Sequence, residues 1–506
     1  MAENIRELAL EVLLALDKKD SGIDDGGGFS SRLIADVLDK YDYLDGRDKA
    51  FFKRVTEGTI ERRLELDYYL NAFSTLPVDK MKPLIRCLLR LSVYQLLYMD
   101  NVPDSAVCNE ACKLAAKRGF KALKGFVNGV LRSISRDKGS LPLPDREKEP
   151  VKYLSVKYSM PEWIVELWLG EYGGEITEAL LEGLLRIHPV SLRLRTDLPD
   201  GEREACVRRL RERGVQLTPG KYLPYCYSLE HADNIRRLPG YEEGSFTVQD
   251  VSSVLAVEAA GLKADDFVID VCAAPGGKSL LAAERAGRVL ARDVSEEKAA
   301  LIRENAGRMR AKNIEIQVYD GTQTDRELVG KADAVLLDVP CSGLGVIGKK
   351  RDIKYRVTRE GLEGLTELQR RIVMASAGYV RPGGTLIYST CTIHRAENED
   401  MVRFITGELG FVPESLEGVL PEAVLAQKKR LEELIEKEGA GGGQAKEAGA
   451  GLTEQEKAAC IQLLPGFMES DGFFIARFRR PLPAAGLLAG MCAGAHGEAA
   501  YKSETE

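Results

Sequence analysis

From about Asp266 onward, short runs of branched and apolar residues alternate with helix-length segments, and this alternation restricts the fold more than any other feature of the chain. The runs are FVIDV, RVLARDV, IEIQVYD, ADAVLLDVP and GTLIYSTC. Strands separated by crossover helices pair in parallel, so an α/β fold with a doubly wound, Rossmann-like sheet is expected. Such a sheet takes its ligand in the crevice beyond the carboxyl ends of its strands. A later run, DGFFIARFRR, reads as a final edge strand. The Gly- and Ala-rich stretch at about 437–456 reads as a flexible insertion, and 481–506 as a disordered tail.

Upstream, the apolar spacing becomes that of amphipathic helices, as in IRELALEVLLALDK, MKPLIRCLLRLSVYQLLYM and FKALKGFVNGVLRSI. Residues 1–140 therefore read as an all-helical domain, followed by a proline- and charge-rich linker at Lys138–Pro150. Between 151 and 245 helical and strand-like segments mix, as in a small α+β module, and 246–480 is the sheet domain. A chain of 506 residues with 44% apolar side chains has the material for these three cores.

Lys and Arg number 71 against 78 Asp and Glu, a net charge of −7, which excludes a chain coated throughout in basic charge but hides local clusters. One cluster holds Lys113, Lys117, Arg118, Lys121 and Lys124. A second, GKKRDIKYRVTRE, holds Lys349, Lys350, Arg351, Lys354 and Arg356. Both read as segments that contact RNA phosphates. The ten cysteines are dispersed and read as reduced thiols, with no metal site expected. No stretch has the make-up of a signal peptide or a membrane span, so a cytoplasmic monomer without membrane association is expected.

The segment FVIDVCAAPGGKSLL ends a buried strand, turns on glycines and opens a helix, so the backbone of Cys272, Ala273, Ala274, Pro275, Gly276, Gly277 and Lys278 can approach a nucleotide-type ligand closely. It matches neither the dinucleotide fingerprint nor the P-loop. Asp293, Asp320 and Asp338 follow the next strands. A carboxylate after the second strand suits ribose hydroxyls, and Asp320 can reach a base. Cys341 in DVPCSGLG and Cys391 in STCT lie past strands on one edge of the sheet and are expected to converge. A free cysteine is ordinarily a core residue, but two thiols at the mouth of a crevice point to nucleophilic chemistry.

Taken in order, DVCAAPGGK, DVPCSGLG and YSTCT resemble the RsmB/NOP-type RNA cytosine-5 methyltransferases, which use S-adenosyl-L-methionine. The resemblance covers about Met160–Arg480. It implies that Cys272–Lys278, Asp293, Asp320 and Asp338 line the cofactor and target-base pocket, with Cys391 the nucleophile and Cys341 assisting product release. It also gives Asp338 a contact to ring nitrogen 3 of the base. SAVCNEACKLAAKRG and GFVNGVLRSI are similar to the NusB family of antitermination factors. The fusion of the two implies 16S ribosomal RNA as the partner and cytosine 967 as the target. Two alternatives stay open: a transfer RNA cytosine-5 methyltransferase, and a non-catalytic RNA-binding or antitermination factor. His394 is expected at the surface or at a helix start.

Overall fold

The computed structural model describes residues 4–18, 29–186, 189–230, 234–441 and 451–483. Its first domain is a bundle of α1 (Ile5–Lys18), α2 (Phe29–Lys40), α3 (Gly46–Glu61), α4 (Arg63–Phe73), α5 (Pro83–Tyr98), α6 (Asp104–Lys117) and α7 (Lys124–Asp137). In α7, Val127, Val130, Leu131 and Ile134 are buried, the spacing of one face of a helix. Lys124, Gly125, Gly129 and Arg132 lie on the exposed face. The central α5 is buried nearly all round, and its Arg90 is admitted because Asp67 (2.7 Å) and Asp17 (3.2 Å) pair it. No helix among the described residues is long and apolar enough to cross a membrane.

Residues 139–149 carry neither helix nor strand. Beyond them the expected α+β module divides in two. Its helices Pro150–Tyr158, Glu162–Tyr172 and Gly174–Leu185 bury Trp168, Leu180 and Leu181 against Leu344, Ile347, Leu362 and Ile393 of the sheet domain. Only the second half has its own core, around Leu192, Leu194, Cys206, Leu210 and Phe246. There β1 (Val190–Leu194), β2 (Gln216–Pro219), β3 (Cys226–Glu230) and β4 (Phe246–Val248) form an antiparallel sheet in the order β2-β3-β1-β4. The last of these strands lies past residue 245, so the small sheet reaches beyond the expected boundary.

The large sheet contains β5 (Phe267–Asp270), β6 (Arg288–Asp293), β7 (Ile314–Val318), β8 (Ala332–Asp338), β9 (Val380–Thr390), β10 (Val412–Pro413), β11 (Cys460–Leu463) and β12 (Phe473–Arg479). The order β10-β12-β9-β8-β5-β6-β7 places β5 between β6 and β8, and β5 to β9 pair in parallel. From β5 the strands are added one way across the sheet to β6 and β7 and then the other way to β8 and β9, so the order switches between β5 and β8, and the crevice opens there. The run DGFFIARFRR is not an edge: β12 lies between β9 and both β10 and β11, with Phe473–Phe478 buried. Nor is 437–456 wholly an insertion without structure. Its start belongs to the helix Glu422–Gly441, and Thr453 closes a capping box on Glu454–Ala459. Residues 442–450 of that stretch, and 484–506 of the expected tail, lie outside the described residues.

The second basic cluster corrects the sequence expectation most. Lys354, 1% exposed, donates to the Glu61 carbonyl (2.8 Å), and Arg351 pairs with Glu57 (3.2 Å) and Glu61 (3.1 Å) at the end of α3. Tyr355 also reaches the Glu61 carbonyl, and Asp352 accepts the Ser30 hydroxyl (2.5 Å) and the charge of Arg356 (3.5 Å). Lys349 bridges Asp250 (2.6 Å) and Asp471 (2.7 Å). Lys349, Arg351, Lys354 and Arg356 therefore do not form a free phosphate-binding face: Arg351 and Lys354 fasten the helical domain to the sheet domain, and Arg356 pairs with Asp352, which itself holds Ser30. A buried ammonium cannot reach a phosphate, and one held between two largely buried carboxylates, as Lys349 is, is not released to one.

Burial, against the attraction of Glu61, pushes Lys354 down to about 7. Between there and the ordinary lysine range the unfolded chain holds a proton that the folded chain does not, so stability rises with pH. Relative to Lys354→Met, the wild type should gain about 2–3 kcal/mol between pH 7 and pH 9, read from urea midpoints. An unchanged difference across that window would show that Lys354 is charged in place.

Candidate active site

Polar residues stand at or just past the carboxyl ends of the parallel strands. At β5, Asp270 is fully buried, and Ser279 from the following helix donates to its Oδ2 (2.6 Å). Burial, opposed by that hydroxyl and by Lys278, pushes Asp270 up to about 7. Its Oδ1 is buried and has no partner among the described residues. The turn that follows is tight. The Gly276 amide donates back to Ala273 O (2.7 Å), and Gly276 has φ +104°, a left-handed conformation that strains any other residue. A side chain at Gly276 would come within 3.3 Å of Ile302, and one at Gly277 within 3.4 Å of Gln249.

At the end of β6, Asp293 is 6% exposed and accepts the Ala274 amide on Oδ2 (2.9 Å), so it braces the glycine turn. The next residue, Val294, is 56% exposed, an apolar surface just past the end of β6. Asp320, two residues past β7, is exposed and accepts the Thr322 amide (2.9 Å) and hydroxyl (2.8 Å), which hold it below the usual carboxylate range. Cys272 is half-buried, and burial pushes its thiol well up, so it is a wall and not a nucleophile.

The reactive end lies at β8 and β9. Lys278 Nζ is 2.6 Å from Asp338 Oδ2 and 3.3 Å from the Ser253 hydroxyl, and it lies 5.3 Å over the Phe473 ring. Asp338 Oδ1 accepts the Ser389 hydroxyl (2.9 Å). Lys278 thus makes its direct contact with Asp338, and its charge also reaches Cys391. Cys341 and Cys391, 50 residues apart, stand with their Sγ atoms at 3.2 Å, and the Cys391 amide donates to Cys341 Sγ (3.3 Å). The Cys341 thiol donating to Cys391, with Lys350 and Lys278 nearby, holds Cys391 below the ordinary thiol range against burial and Asp338. The same hydrogen bond, burial, Glu397 and Asp338 push Cys341 well above it.

His394 does cap the short turn Arg395–Glu397, but it is not a surface residue: it is 8% exposed, with Nδ1 3.4 Å from Glu397. Burial opposes its charged form, yet Glu397, Glu171 and Asp400 together raise it above the ordinary histidine range. Ser389, Ser253 and Glu397 were not singled out from the sequence. Ser389 stands inside YSTCT, where its neighbour Cys391 drew the attention. Glu397 lies six residues past that cysteine in a stretch whose polar residues look like any loop.

Three family models match in succession: the NusB family on residues 3–136, a ferredoxin-like domain of the RsmF/B-like methyltransferases on 160–236, and 16S rRNA methyltransferase RsmB/F on 258–479. A probable ribosomal RNA small subunit methyltransferase B of Bacillus subtilis is 33% identical over 94% of this chain and 99% of its own. The chain belongs to the RsmB/F methyltransferase family. A second such protein from Synechocystis is 31% identical over 94% of this chain and 99% of its own. The crystal structure of PH0851 shares the fold over 95% of this chain and all of its own, with a TM-score of 0.71 at 21% identity.

As an RsmB/F methyltransferase the chain uses S-adenosyl-L-methionine, and the crevice fits that group. The glycine turn leaves backbone room for the amino-acid end, the orphaned Asp270 oxygen offers a buried acceptor, and Val294 offers an apolar face beside Asp293.

Proposed function

We propose that the chain methylates carbon 5 of a cytosine in 16S ribosomal RNA, by resemblance cytosine 967, through a covalent cysteine adduct. The observation that carries this is the pair of unlike thiols at 3.2 Å beside the Lys278–Asp338 ion pair. The relatives named as ribosomal RNA small subunit methyltransferase B support the choice of RNA.

Carbon 5 of cytosine is too electron-poor to take a methyl group unaided. Cys391, the thiol held low, adds to carbon 6 and pushes electron density to carbon 5 and ring nitrogen 3. Asp338 receives that nitrogen, and the 2.6 Å contact lets Lys278 supply the proton that the negative charge draws there. S-adenosyl-L-methionine supplies the methyl group from its sulfonium when bound. The carbon 5 proton then passes to solvent and the proton on ring nitrogen 3 returns through Asp338 to Lys278, the carbon 6–sulfur pair leaves on Cys391 as thiolate, and the Cys341 thiol, 3.2 Å away, stabilises that departing sulfur by its hydrogen bond. Asp293 carries the ribose and Asp320 the base of the cofactor.

The exposed face of α6 and α7 supports RNA contact. Lys121 and Lys124 are open, and Lys113, Lys117 and Arg118 pair with Glu110, Glu7 and Glu11 at the surface, where such pairs are worth about 0–1 kcal/mol and yield readily to phosphates. The test is transfer of labelled methyl groups to 16S RNA from cells lacking the enzyme, followed by mapping of the modified base. One 5-methylcytosine is expected. Methylation of transfer RNA instead, or of a base other than cytosine, would refute the proposal.

A further inference from the structure

Glu397 is fully buried, yet it touches neither the glycine turn nor the Lys278–Asp338 pair. Its Oε2 accepts the Ser342 amide (2.9 Å) and the Gln369 side chain (2.9 Å), and its Oε1 accepts the Ser342 hydroxyl (2.6 Å). Its carbonyl accepts the Tyr388 hydroxyl (2.6 Å). Ser342 Oγ also lies 2.7 Å from Thr392 Oγ1. The next residue, Asn398, accepts the Thr390 hydroxyl (2.6 Å) and donates to Thr392 O (3.2 Å). One short turn therefore grips the residue after Cys341 and the residues on both sides of Cys391.

Gripping two loops could be done by neutral groups, and a buried carboxylate is an expensive way to do it. The charge has a use where two thiols share a proton. The groups that act most strongly on Cys341 are Cys391, Glu397 and Asp338, all acidic or neutral, with Tyr388 also near enough to feel it. Around Cys391 stand Cys341 and Asp338 but also Lys350 and Lys278. Glu397 itself faces His394 on its own loop.

We infer that Glu397 is the positioning residue of the cysteine pair: through Ser342 it fixes Cys341 against Cys391, and its buried negative charge keeps the shared proton on Cys341. The pair is thus made unequal by a residue that meets neither substrate nor cofactor. For the methyl-transfer consequence this rests on the function proposed above; for the thiols it does not.

The experiment is competitive alkylation of the free full-length protein with iodoacetamide from pH 6 to pH 9, with Cys341 and Cys391 quantified separately by peptide mass spectrometry. In the wild type Cys391 is labelled first. In Glu397→Gln, which keeps the shape and removes the charge, the labelling ratio should move toward Cys341 by about tenfold, one pKa unit in thiolate fraction, and the pH profiles of the two thiols should draw together. Methyl transfer should fall by about 10- to 100-fold in kcat with KM for RNA unchanged, as when a positioned hydrogen-bond donor is lost. Should Glu397→Gln not fold, Ser342→Ala severs the hydroxyl link alone and should move the ratio in the same direction. A folded variant with the wild-type ratio and profile would overturn the inference. If the ratio moves while the wild type methylates no cytosine, the inference stands and the proposed function falls.

Discussion

Cys391→Ala should lower methyl transfer by about 10,000-fold or more and leave no covalent RNA adduct on a denaturing gel, because without a thiolate at carbon 6 the ring offers no electron density at carbon 5. Cys341→Ala should behave differently. Its product still forms, but the sulfur of Cys391 leaves without a neighbouring hydrogen-bond donor, so the adduct accumulates. The argument for this order is electrostatic. Of two sulfurs 3.2 Å apart, only one can be an anion, and the cations Lys278 and Lys350 act on Cys391 while Glu397 acts on Cys341. An adduct that survives Cys391→Ala and vanishes with Cys341→Ala would reverse the roles.

The two thiols and the aspartates at strand ends were legible because each stands at a change of pattern, where an apolar run stops and a small or acidic residue follows. Parallel pairing then brings strand ends together without knowledge of any side chain. The loops resisted for a reason that Lys349–Arg356 makes plain. A run of lysines and arginines reads the same whether it faces water, a phosphate or a carboxylate nearly 300 residues away, and Arg351 with Glu61 is the last case. Glu397 was hidden in the same way, since its donors come from residues 342 and 369, and no local period points to them. The interior place of β12 was missed because an apolar strand late in the chain looks like a closing edge until its partners β9, β10 and β11 are known.

Loss of Glu284 should produce the largest fall in stability away from the catalytic pair. Arg193 of β1 has no exposed surface, and it donates to both oxygens of Glu284 (2.8 and 2.7 Å) and to Gln249 (2.7 Å). Glu284 ends the helix Gly277–Ala283 and also accepts the Thr196 amide and hydroxyl (2.8 Å each). The pair thus ties the small sheet to the helix that follows the cofactor turn. Glu284→Ala strands a guanidinium in the interior and should cost about 3–5 kcal/mol, read as a lower urea midpoint. The double variant Arg193→Met, Glu284→Leu removes both charges and fills the space, and should be more stable than Glu284→Ala alone, because most of the single cost is the unpaired charge and not the lost attraction. If the double variant is the less stable, the pair stabilises the fold in its own right. Gln249 packs against Gly277, so the singly mutated protein should also bind S-adenosyl-L-methionine more weakly, and the double variant should recover part of that binding as the helix is held again.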